Sequence, residues 1–108
     1  MNFMATNRLD ALKQMVAQDE KNSFARYGLA MEYSSRGEFD EALTQFKTLL
    51  ATDQTYVAAY YHAGQALEKT GNLDDARHMY ERGIEACQKT GDLHTRAEIE
   101  AALSLLPI

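Results

Sequence analysis

The chain repeats itself at a fixed offset of 34 residues, and no other feature narrows its fold as far. With Ser23–Tyr56 set above Val57–Thr90, Ala25 falls on Ala59, Gly37 on Gly71, Phe39 on Leu73, Glu41 on Asp75, Ala42 on Ala76 and Phe46 on Tyr80. Repeats of about 20–50 residues mark stacked supersecondary units, each too small to bury its apolar face alone.

Apolar spacing near 3.6 and capping signals predict helices throughout. A first helix over roughly 3–18 places Leu9, Leu12, Met15 and Val16 on one face. Asn22 or Ser23 caps a second helix, about 23–36, carrying Arg26, Leu29, Ala30 and Tyr33. Gly37 supplies the left-handed residue that ends it. A third helix, about 39–52, buries Phe39, Ala42, Leu43, Phe46, Leu49 and Leu50. The second copy follows the same plan, with Tyr60, Ala63, Gly64 and Leu67 on a helix over about 57–70 ended by Gly71. Leu73, Ala76, Met79, Tyr80 and Ile84 lie on the next, about 73–89, closed by Gly91. Thr95-Arg-Ala-Glu98 reads as a capping box that opens a last helix, with Ile99, Ala102, Leu103 and Leu106 inward and Glu98, Glu100 and Ser104 outward. Ala30, Gly64, Ala42 and Ala76 are the small residues that let paired helices approach, and Phe46 and Tyr80 are the matching large ones.

These residues resemble the tetratricopeptide repeat, whose motif runs large residue, Leu, Gly or Ala, Tyr, then Gly, Ala, an aromatic and Pro. Copy one gives Arg26, Leu29, Ala30, Tyr33, Gly37, Ala42 and Phe46; copy two gives Tyr60, Ala63, Gly64, Leu67, Gly71, Ala76 and Tyr80. Arg26 departs from the usual aromatic, Gln54 and Gln88 from the closing Pro, and Gly83 from a second small Ala. The resemblance implies an all-α, right-handed short solenoid of six antiparallel helices in a single domain spanning 1–108. That domain divides into an N-terminal half-repeat helix (1–22), two full repeats (23–56 and 57–90) and a C-terminal capping helix (91–108). The first helix aligns with trailing helices, Leu9 with Leu43 and Leu12 with Phe46, so it reads as the second half of a repeat.

Composition excludes several functions. A net charge of −5, with 11 basic residues scattered among 16 acidic ones, argues against nucleic acid. No apolar stretch reaches the roughly 18 residues of a membrane span, and Met1–Arg8 lacks the basic and apolar segments of a signal peptide. A lone Cys87 suits a reducing compartment. Together these predict a cytoplasmic protein. His62, His78 and His94 sit on three separate helices, and neither a metal motif nor a phosphate-binding glycine loop occurs. No enzyme activity, cofactor or metal is therefore expected.

What remains unexplained by core packing is a second apolar stripe, Phe24, Tyr27 and Met31, continued in the second copy by Tyr61, His62 and Gln65. A helix that is apolar nearly all round is either buried all round or offers a contact surface. The family's inner grooves bind peptides, so the resemblance makes these six residues candidates for a concave binding face. Alternatively, the terminal helices curl in and fill that face. Family members that clamp a C-terminal carboxylate do so with Lys and Asn, whereas the matching slots here hold Tyr27, Met31, Tyr61 and Gln65. An apolar or amphipathic protein segment is thus expected in preference to a carboxylate tail. The second reading is a self-associating unit, a homodimer through the exposed ends or the apolar stripe.

Overall fold

A computed structural model describes residues 3–107, with side chains from Arg8 onward. The start of the stretch read for a signal peptide therefore lies outside the described residues. Six helices follow in order: α1 (Phe3–Gln18), α2 (Ser23–Ser35), α3 (Phe39–Thr52), α4 (Val57–Lys69), α5 (Leu73–Thr90) and α6 (Leu93–Ser104). Among the described residues there is no strand. Each helix packs on the next, and α2 also meets α4, as α4 meets α6. The result is a short helical solenoid in which α2, α4 and α6 form one layer and α1, α3 and α5 the other.

The turns arise where the sequence supplies the backbone freedom for them. Gly37, Gly71 and Gly91 adopt φ of 77°, 82° and 78°, a region that a Cβ disfavours. Asn22 caps α2, its side chain accepting from the Ala25 N–H at 3.0 Å. The predicted capping box at Thr95 is not formed. The cap is Asp92, which accepts from the Thr95 backbone at 2.9 Å and from the Thr95 hydroxyl at 2.8 Å. An Asp directly after a left-handed Gly starts the helix as soon as the chain has turned, which leaves Thr95 inside the first turn.

Close helix packing rests on the small residues. Ala30, Ala42 and Ala76 have no exposed surface, nor do Phe46 and Tyr80. Burying an aromatic ring of that size stabilises by roughly 1.5–3 kcal/mol. Gly83, a departure from the repeat pattern, is explained by its neighbours. A Cβ there would lie 2.7 Å from Tyr60 Cβ and 2.9 Å from Ile99 Cδ1, so glycine lets α4 and α6 close on α5.

Two departures from the sequence reading concern the ends. Met15, expected inward, is 43% exposed because, among the described residues, α1 packs on α2 alone. What fastens α1 is electrostatic as well as apolar. Glu32, buried on α2, pairs with Arg8 of α1 at 3.4 Å and with Arg36 at 3.0 Å. At the other end the repeat slips. α4 opens at Val57 and α6 at Leu93 (93 − 57 = 36), two residues more than the period of the copies. Ile99, buried like Ala63, then occupies the matching core position.

Candidate functional site

The inner face of the α2–α4–α6 layer is built around a cluster of rings. Tyr27 of α2 lies 5.0 Å from Tyr56, 5.9 Å from His62 and 6.3 Å from Phe46, measured between ring centres. His62 stacks near-parallel on Phe46 at 6.4 Å and meets Tyr61 edge-on at 5.1 Å. His62 thus stands between the two tyrosines that the 34-residue spacing aligns. Phe46 reaches this cluster from the trailing helix α3 and forms its floor. Tyr56, at the N-terminal cap of α4, joins it although its column in the repeat, Thr90, carries no ring.

Sequence-predicted residues divide into three environments. Phe24 is 75% exposed, one turn before Tyr27 on the same line of α2. Tyr27, Met31, Tyr61 and His62 are half-buried, and Tyr27, Met31 and Tyr61 pack against the core. The expectation that these last three are surplus to core packing is therefore corrected: each has one side on the core and one side open. Gln65 is exposed and neighbours the Tyr80 hydroxyl.

Tyr80 links the two layers. Its ring fills the gap left by Gly64, and its hydroxyl donates to the Glu68 carboxylate on α4. Burial, with the hydrogen bond to Glu68 second, pushes the phenol pKa well up, while Gln65 pulls the other way. Where Phe46 gives the first repeat an apolar floor, Tyr80 gives the second a polar one.

Glu98 was expected on the outer side of α6. It is exposed, as are Glu100 and Ser104, and its charge reaches His62 and Tyr27. Burial lowers the His62 pKa, and Glu98 opposes that shift. Tyr27 is raised, mainly by burial and then by Tyr56 and Glu98. Glu98 also pairs with His94 at 3.6 Å on an exposed surface. The other histidine pair, His78 and Glu81 at 3.5 Å, is exposed on α5. Among the described residues, no group of three or more His, Cys, Asp or Glu is placed to hold a metal ion. Also among them, no helix is long and apolar enough to cross a membrane.

Comparison with known proteins agrees with this architecture. The family description "tetratricopeptide repeat" matches residues 27–89. A TPR repeat-containing protein of Pseudomonas aeruginosa is 26% identical over 98 residues, covering 91% of this chain and 93% of that protein. The crystal structure of a tetratricopeptide repeat domain protein from Salinibacter ruber is 35% identical with a TM-score of 0.72, covering 76% of this chain and 91% of its own. The type III secretion translocator chaperone SycD of Yersinia enterocolitica reaches a TM-score of 0.86 over 94% of this chain and 70% of its own. At 17% identity, that likeness is one of fold alone. With the repeat spacing, the helix pairs and more than half of the chain matched, the chain belongs to the tetratricopeptide repeat family.

Proposed function

We propose that the protein is a cytoplasmic, non-enzymatic interaction module that holds a segment of a partner protein on the face lined by Phe24, Tyr27, Met31, Tyr61, His62 and Gln65. The tetratricopeptide fold is a protein–protein interaction module, and the proposal concerns which surface is used and for what. The observation that carries it is Phe24, a ring 75% exposed in line with the half-buried Tyr27 and Met31. A large apolar side chain left open beside other half-open aromatics marks a contact surface rather than a core. Phe24, Tyr27, Met31, Tyr61 and Gln65 carry no cation, so an apolar or amphipathic segment suits the face better than a free carboxylate. The buried, unpaired thiol of Cys87 agrees with a reducing compartment.

The test compares capture by the wild-type chain, by Phe24→Ser and by Tyr27→Ala/Tyr61→Ala, with bound proteins identified by mass spectrometry. Phe24→Ser is the cleaner variant, since Tyr27 also supports the ring cluster. Loss of the same partner in both variants, with helical circular dichroism retained in Phe24→Ser, supports the reading. A partner retained at full strength by Phe24→Ser and by the double variant contradicts it.

A further inference from the structure

We infer that α6 is the contact of a two-fold homodimer, pairing end for end with α6 of a second copy of this chain. The inference uses a different surface from the inner-face reading above and does not depend on it.

Among the described residues, α6 packs on α5 and α4 alone. It meets them with Ile99 and Leu106, both buried, and with the half-buried Ala102 and Leu103. At about 3.6 residues per turn, Ala97 and Ala101 then lie nearly opposite Ile99, on the side away from the core. Both are exposed. One turn further out in each direction the row continues with Leu93, 74% exposed, and Leu105, 83% exposed. Leu105 is the C-terminal cap but keeps a right-handed helical backbone (φ −89°, ψ −9°), so it stays in the row. Leu93, Ala97, Ala101 and Leu105 form a ridge at a spacing of four, the kind of row through which helices pack on one another. Large apolar side chains left this open at both ends of one ridge mark a contact surface.

The occupant follows from the symmetry of the ridge. Leu93 and Leu105 stand six residues either side of Ile99, and Ala97 and Ala101 stand two. Turned end for end about that point, the ridge reads Leu-Ala-Ala-Leu again. A two-fold interface requires a patch to be its own complement, a condition that a foreign partner does not impose. In the antiparallel pair, Leu93 of one copy meets Leu105 of the other at each end, and the alanines let the backbones approach at the crossing.

Charge agrees with the same register. Arg96 and Glu100, paired within one chain at 3.4 Å, lie along one edge of the ridge. Reversal keeps that edge facing itself and sets Arg96 two residues of rise, about 3 Å, from Glu100 of the second copy. The two-fold repeats this pair. On the opposite edge the two copies of Glu98 come equally close and oppose the contact. A single helix pair about 18 Å long also falls at the small end of specific interfaces, under roughly 1,200 Å². The dimer is therefore a weak one, dissociating at roughly 10–100 μM.

Sedimentation equilibrium of the folded chain between about 1 μM and 1 mM tests this. The mass is expected to rise from one chain to two and stop there, since a two-fold contact closes on itself. Leu93→Ser and Leu105→Ser should each weaken association at least roughly tenfold with circular dichroism unchanged, and Phe24→Ser should leave association as it was. The register has its own test. Arg96→Glu and Glu100→Arg each set like charges across the contact, so each alone should associate more weakly than the wild type. Mixed together, the two variants should form a mixed dimer at least roughly tenfold tighter than either forms alone. A single chain at every concentration, growth beyond two chains, or association that survives both leucine variants overturns the inference. Association lost on Phe24→Ser but kept by the leucine variants puts the contact on α2 and overturns it too. A mixed dimer no tighter than the two separate ones overturns the antiparallel pairing. The inner-face reading is judged separately, by partner capture, so failure of either leaves the other standing.

Discussion

Tyr80 occupies the space that a side chain on residue 64 would need: a Cβ built on Gly64 falls 2.2 Å from Tyr80 Cε1 and 2.6 Å from Cζ. The pair sets how closely α4 and α5 approach, and it delivers the tyrosine hydroxyl to Glu68. Gly64→Ala is expected to destabilise by roughly 1–3 kcal/mol through overpacking, despite alanine's better helix propensity. Tyr80→Leu should recover part of that loss, because the two sites share one volume. Urea titration of the two single variants and the double variant checks both points; additive effects would show that the ring does not rest on residue 64.

The equivalent floor in the first repeat is Phe46, with no exposed surface and with Tyr27 and His62 on it. Phe46→Ala should cost roughly 3–5 kcal/mol, and Ala42→Leu or Ala76→Leu roughly 1–3 kcal/mol. Thermal melts in which the Ala42 and Ala76 variants match the wild type would mean that those helices do not cross closely there.

The helix order and the packing of Gly64, Ala42 and Ala76 follow from the repeat, because a spacing of 34 with small residues in fixed columns admits few other arrangements. Periodicity also put Tyr27 and Tyr61 on one line. It could not supply the distance between leading helices, and so missed His62 standing between them and Tyr56 closing the cluster. The cap at Asp92 was hidden because Thr95-Arg-Ala-Glu98, three residues on, fits the capping-box pattern as well. Glu32 escaped notice because its partner Arg8 lies 24 residues away on a helix whose packing the repeat does not describe.

Asp92 accepts two hydrogen bonds from Thr95, the backbone one foremost, and these hold its carboxyl below the ordinary value of 3.8. A carboxyl with a depressed folded-state pKa stabilises fully above its unfolded value. That contribution is lost as pH falls through the folded value below 3.8. Asp92→Ala should therefore lower the melting temperature at pH 7 and narrow its difference from wild type by pH 3 or so. A difference that stays constant across that range would show that the cap is not the carboxylate.

Burial lowers the His62 pKa below its ordinary 6.5, and Glu98 resists that shift. The unfolded chain then takes up a proton that the folded chain refuses, so stability should fall as pH drops below about 6.5. His62→Phe is expected to remove that dependence, while Glu98→Gln should steepen it by removing the charge that favours the imidazolium. Melting curves at steps between pH 8 and pH 5 or so read the slope; identical slopes in all three chains would place His62 in free contact with solvent.

The central claim is that the partner lies on the inner face, and the methionines report on it from three sides. Met31 lines that face, Met79 is buried on α5, and Met15 is exposed on α1. With methyl-labelled methionine, titration of the captured partner segment should shift and broaden the Met31 signal while the Met15 and Met79 signals stay in place. A Met15 signal that moves while Met31 does not would put the partner on the outer helices and contradict the account.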